Sequence, residues 1–175
     1  MSQSTWFEDI LQFHVYGEQA IGERPRIPDE QIVALRKRLI EEEVVKETLV
    51  AMDLGDLTAI ADGIIDSIVV LIGAGVAYGL DLPALWDEIH KSNMMKFKDG
   101  INKDAGGKVL KPKDWKPPAI EKLLDEQSSL KEKYNKARDK YSLWIECNQA
   151  GCTKRGHLLE NTTYGDLVPY CEDHY

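Results

Sequence analysis

Residues 38–70 read RLIEEEVVKETLVAMDLGDLTAIADGIIDSIVV, and they decide the fold. Two apolar, helix-favouring segments flank a short Asp/Gly turn at 53–56, a pattern that predicts a helical hairpin. Acids interrupt the apolar pattern. Glu43 and Glu47 are four positions apart and so share one face of a helix, and Asp62 and Asp66 repeat that spacing on the second segment. Like charges at this spacing repel, and carboxylates set in an apolar surface lose solvation unless something compensates. A divalent cation compensates both. If the segments fold back antiparallel, Glu43 and Glu47 face Asp62 and Asp66, with Glu42 beside them at about 100° on an ideal helix. An all-carboxylate site suits Mg²⁺ or Mn²⁺ and suits zinc poorly. The simpler alternative is a solvated acidic face on 41–47 with an incidental Asp pair. Against it, the run 64–80 is apolar almost all round, which points to a buried helix with no obvious solvent face for Asp62 and Asp66.

Outward from this hairpin, a first helix is predicted at 6–16, followed by a Pro-containing loop and by Asp29 as N-cap of a long helix over about 30–51. The third helix spans about 57–78. A fourth begins after Asp81, with Pro83 in its first turn, and runs to about residue 93. Strand signals are weak before residue 140, so the body is an all-α bundle. The 175 residues, 43% hydrophobic, suffice for one core plus a small appendage. A net charge of −8 argues against a general nucleic-acid-coating role. Residues 1–10 include Glu8 and Asp9 and lack a secretory pattern, so a cytoplasmic chain is expected. The run 64–80 contains Asp66, Ser67 and three glycines and falls about a turn short of a membrane span.

The segment 91–116 differs in character, with eight lysines against three aspartates, and reads as a mobile cationic loop able to clamp a polyphosphate. Trp115 within it stacks on a base or anchors the loop on the bundle. His14 and His90 are isolated and read as surface or hydrogen-bonded structural histidines. After Pro117 and Pro118 a charged helix is predicted over about 119–141. All three cysteines then fall near the end, as Cys147-x4-Cys152 and Cys171-x2-His174, a spacing that suits one structural zinc. His157 is a spare ligand. The expected domain organisation is therefore an all-α helical domain at 1–122, a charged helix or spacer at 123–143, and a zinc-binding module at 144–175.

Taken together, LIEEEVVKETLVAM, IADGIIDSIVVLIGAGVAYGLDL, WDEIHKSNMMK and GGKVLKPKDWKPP resemble the MazG-like, phosphoribosyl-ATP-pyrophosphatase-like all-α nucleoside triphosphate pyrophosphohydrolases over roughly 5–122. The resemblance implies two or more Mg²⁺ or Mn²⁺ ions, attack of water on the α-phosphorus, and release of a nucleoside monophosphate and pyrophosphate. Carried onto this chain, Glu43, Glu47, Asp62 and Asp66 hold metal, and Glu42 or Glu43 orients or deprotonates the water. Asn93, Lys96, Lys111 and Trp115 fall at the nucleotide end. The resemblance also implies a homo-oligomer, dimer or tetramer. dGTP, dUTP and dCTP are candidate substrates, dGTP if the chain is of the phage MazZ type. The family writes its acid pairs three apart, whereas here Lys46 and Gly63 occupy the inner positions and both pairs are four apart. The segment CNQAGC…YCEDHY resembles small zinc-ribbon modules, implying Cys147, Cys152, Cys171 and His174 as ligands. A second function class stays open, a catalytically inactive interaction protein in which the shifted spacing has removed turnover.

Overall fold

The computed structural model describes residues 5–130, 133, 145–146, 155–161 and 166–170. The chain divides into two compact units, Met1–Glu132 and Lys133–Tyr175.

The first unit is helical throughout its described elements. Helix α1, Trp6–Tyr16, starts at a reciprocal cap in which the Glu8 amide donates to Thr5 Oγ1 (3.3 Å) and the Thr5 amide to Glu8 Oε2 (2.9 Å). Its buried residues Phe7, Leu11 and His14 follow the 4-then-3 spacing of one helix face. The long second helix is one uninterrupted helical run in three windings: α2 at Glu30–Ile40, a π-helical segment at Glu41–Thr48, and α3 at Leu49–Leu54. Asp29 occupies its N-cap position but makes no side-chain cap bond. Gly55, at φ 69°, ends the run, and Asp56 caps α4, Leu57–Ala77, by accepting from the amides of Thr58 and Ala59. Helix α5, Leu82–Met94, is capped by Asp81 with Pro83 in its first turn, and a short 3-10 turn, Met95–Phe97, follows.

Small residues set how closely α4 is approached. Its buried positions are Gly63, Ser67, Gly73, Gly75, Val76 and Ala77. A Cβ at Gly73 would lie 2.9 Å from His14 Nε2 and 3.2 Å from Arg36 Nη1. His14 is 1% exposed, and its neutral Nδ1–H donates to the Ala20 carbonyl at 3.0 Å. Desolvation by burial lowers its pKa to about 4, Arg36 nearby adds to the lowering, and the Ala20 bond opposes it. His14 is therefore a hydrogen-bonded structural residue, while His90 is exposed.

Two expectations need correction. The run 64–80 is not buried all round. The other described helices leave part of α4 uncovered, and Ile65 (53% exposed), Leu71 (50%) and Leu57 (78%) lie open there. Asp62 is exposed and Asp66 half-buried, so α4 does offer solvent to its acids. By length and apolarity α4 would also suffice to cross a membrane, the one such helix among the described residues. The helix expected over 119–141 is interrupted in its described part, with Lys133 again helical and the rest of 131–141 outside the described residues. Helix α6 spans Ile120–Glu126 and stops where Gln127 turns extended. Gln127 then bonds the Asp81 amide (2.9 Å) and the Gly79 carbonyl (2.8 Å), and Leu130 is buried with its amide on Glu23 O. Residues 119–130 thus belong to the helical unit, because their polar groups and one large apolar side chain find partners on it.

The second unit contains a three-stranded antiparallel sheet in the order β1-β2-β3, with β1 at Ile145–Glu146, β2 at Arg155–Asn161 and β3 at Asp166–Tyr170. Glu146 pairs with Arg155 and His157 with Tyr170, so the end of β1, the start of β2 and the end of β3 share one end of the sheet. Cys147, Cys152, Cys171 and His174 lie outside the described residues, as does most of the expected 123–143 spacer.

Candidate active site

The π segment and α4 make the most extensive helix pairing in the first unit, and this pairing carries the acids. Glu43 is half-buried on the π segment, with Glu42 and Glu47 exposed on either side. The carboxyl of Glu43 is raised above its ordinary pKa, first by desolvation and then by the charges of Glu47, Asp66, Glu42 and Asp62. The five acids singled out in the sequence therefore share one electrostatic neighbourhood centred on Glu43. Lys46 is turned to Glu41, 3.1 Å away, in an exposed ion pair.

Of the two pairs spaced by four, Glu43 and Glu47 lie in the π segment, while Asp62 and Asp66 lie on the regular α-helix α4. Bonding in a π-helix runs from i to i+5, so a turn takes up more residues than the 3.6 of an α-helix, as the bond from the Leu49 amide to the Val44 carbonyl shows. Single π turns inside α-helices occur often at functional sites. Nothing in the apolar periodicity of 38–54 signals the wider winding, so the sequence pattern alone missed it.

The second group of expected residues gathers at the end of α5. Lys96 Nζ donates to Asn93 Oδ1 at 2.7 Å, and Lys98 pairs with Asp114. The lysine-rich segment has a defined turn: Lys103 and Val109 form a bridge, and Asp104 Oδ1 accepts from the amides of Gly106 and Lys108. Trp115 anchors this segment, since its indole N–H donates to the Ser92 carbonyl (2.9 Å) and Ser92 Oγ donates to Lys116 O (3.1 Å). Lys111 Nζ covers the indole ring 3.8 Å from its centre. A cavity of about 370 Å³ opens beside it, lined by Lys96, Asp99, Asn102, Pro112 and Lys113 among others. The structure brings the acids together with one another, and Asn93 and Lys96 together, on separate parts of the helical unit.

The acids supply only carboxylate oxygens, crowded enough to raise the pKa of the central one, and that donor chemistry fits a hard divalent cation. Among the described residues, no three His, Cys, Asp or Glu side chains already converge on one point.

The helical unit thus brings five acids from its two longest helical runs into one electrostatic neighbourhood. Residues 11–93 match the phosphoribosyl-ATP pyrophosphohydrolase family, within the MazG-like all-α superfamily of hydrolases that act on nucleotide phosphoanhydrides. The matched stretch contains Glu42, Glu43, Glu47, Asp62, Asp66 and Asn93, and it ends before Lys96, Lys111 and Trp115. Comparison with individual curated proteins gives no significant match.

Proposed function

We propose that this chain is a Mg²⁺- or Mn²⁺-dependent nucleoside triphosphate pyrophosphohydrolase that converts a (d)NTP to the monophosphate and pyrophosphate within the cytoplasmic nucleotide pool. The observation that carries the reading is the crowding of Glu42, Glu47, Asp62 and Asp66 around Glu43, all five inside the stretch similar to a pyrophosphohydrolase family. Glu43, Glu47, Asp62 and Asp66 would hold the metal. The bound cation supplies positive charge over the phosphate oxygens and lowers the pKa of a water. Glu42, on the rim, orients that water, and Glu43 is the other candidate to take its proton. Lys96 and Lys111 are the cations assigned to the phosphates and Asn93 to the nucleotide, while Trp115 holds the lysine-rich segment to α5. dGTP, dUTP and dCTP are the substrates to test first, dGTP foremost if the chain is of the MazZ type. Phosphoryl chemistry of this kind asks the protein mainly for positioning and charge.

The open apolar side of α4, with Leu57, Ile65 and Leu71, and the exposed Val45 and Leu49 on the preceding run, supports a homo-oligomer in which copies cover one another. A cation from a neighbouring copy then has a route to the phosphates.

The test is pyrophosphate release from a panel of common and modified (d)NTPs with Mg²⁺ and with Mn²⁺, with identification of the nucleotide product. Monophosphate from one preferred base is expected. No release from any nucleotide would replace this reading with that of an inactive interaction protein.

For the second unit we propose a structural zinc on Cys147, Cys152, Cys171 and His174. Support comes from the sheet register, since the chain leaves β1, enters β2 and leaves β3 at one end of the sheet, immediately beside these residues in sequence. A unit this small builds little core, so metal binding would be folding free energy. Elemental analysis is expected to give about one zinc per chain, and chelation to loosen 144–175 while leaving the bundle's helicity in place. Metal-free protein with an unchanged second unit would remove the zinc.

A further inference from the structure

We infer that Thr48 is a positioning residue, an alignment pin that fixes the π register of Glu41–Thr48 and through it sets Glu43 against Asp62 and Asp66. This rests on the pyrophosphohydrolase reading above. Thr48 is buried, 5% exposed, at the last position of the π segment. Its hydroxyl donates to the Glu43 carbonyl at 2.7 Å, five residues back. A threonine in an α-helix bonds the carbonyl three or four residues back. The bond to Glu43 is therefore available in the π winding and lost if the segment relaxes to α.

The same hydroxyl reaches across to α4. Ser67 Oγ, also buried, lies 2.9 Å from Thr48 Oγ1 and 3.4 Å from Glu43 O. At Gly63, one turn earlier on α4, an added Cβ would stand 2.7 Å from Thr48 Oγ1 and 3.1 Å from its Cα. Gly63 and Ser67 are the residues immediately after Asp62 and Asp66. Thr48 thus seats between the two positions that follow the α4 acids, while holding the backbone of the central π-segment acid. One buried hydroxyl pair fixes the rotation of one helix, the register of the other and the separation between them. Partners that orient metal-binding groups from behind in this way are worth about 10–100-fold in affinity or activity when removed.

The experiment compares Thr48→Val, which keeps the shape and removes the hydroxyl, with Thr48→Ser, which keeps the hydroxyl, in the full chain. Pyrophosphate release is measured for each as kcat and KM on the preferred nucleotide, with Mn²⁺ affinity measured separately by titration. Thr48→Val is expected to lose about 10–100-fold in kcat or in Mn²⁺ affinity with KM for the nucleotide within about twofold, and Thr48→Ser to restore most of the loss. Ser67→Ala should fall in the same direction. Thr48→Val with wild-type kcat and wild-type Mn²⁺ affinity overturns the pin while leaving the pyrophosphohydrolase reading intact. Equal losses in Thr48→Val and Thr48→Ser overturn it as well, since packing rather than the hydroxyl would then be responsible. Wild-type protein that releases no pyrophosphate overturns the underlying reading, and the pin with it, and is recognised before any variant is compared.

Discussion

Glu43→Gln is expected to reduce pyrophosphate release by about a thousandfold or more while leaving the helical signal unchanged. Glutamine keeps the size of the side chain and removes the charge that four neighbouring acids surround. The effect on stability should have the opposite sign. A carboxyl whose pKa is raised in the folded chain opposes folding once it is ionised, so in metal-free buffer at neutral pH the variant should melt at the wild-type temperature or above it. That advantage should fade as the pH falls into the ordinary glutamate range, where both states of the wild-type residue take up the proton. Asp66→Asn should lose turnover likewise. Turnover within tenfold of wild type in both variants, measured alongside thermal melts, would sink the acid-cluster assignment.

The other large expected effect is on folding. Gly79 has φ 70°, and an added Cβ would stand 2.2 Å from the backbone oxygen of Arg24 and 2.6 Å from its carbonyl carbon. The facing residue is Gly22, whose own Cβ would come within 2.5 Å of the Gly79 nitrogen. Here the loop before α2 is bonded to the end of α4, Gly22 N to Val76 O at 2.9 Å and Arg26 N to Tyr78 O at 3.1 Å. Neither backbone can give way without losing those bonds. Gly79→Ala should therefore cost about 2–5 kcal/mol, a left-handed penalty of about 1–2 plus overpacking of about 1–3. Gly55→Ala is the control, because Gly55 has nearly the same φ of 69° with nothing within 4 Å of the added carbon, and should cost only about 1–2 kcal/mol. Denaturant midpoints of the two variants decide it. Equal midpoints would show that the close crossing contributes nothing beyond the backbone angle.

Much of the helical unit was legible because local chemistry decides it. Asp81 with Pro83, the Asp/Gly turn before α4 and the apolar spacing of α1 each act within a few residues, and α1, α4 and α5 begin and end within a residue or so of where those signals place them. The acids were legible for a similar reason, since carboxylates in an apolar helix stand out against their surroundings. Besides the π winding, three features were not legible, each for its own physical cause. Hydropathy reports that α4 must be covered but not by what, so Ile65 and Leu71 looked like core and lie open on the single chain. The charged stretch after Pro118 favours helix locally, yet Gln127 leaves the helix because the Asp81 amide and Gly79 carbonyl offer it partners remote in sequence. Thr48 and Ser67 carry no signal at all as separate residues, and their meaning lies in the 2.9 Å between their oxygens.

The winding of Glu41–Thr48 also bears on how sites of this kind are found. One surplus residue in a straight α-helix swings everything beyond it by about 100°, which would carry α3 away from its neighbours. A wider turn absorbs the surplus locally, so the chain on either side keeps its phase. A search that demands a three-residue interval between acids would therefore pass over Glu43 and Glu47 here. What relates the two pairs in this chain lies across the helix pair, where the charges of Asp62 and Asp66 act on Glu43, and not along the sequence of either helix.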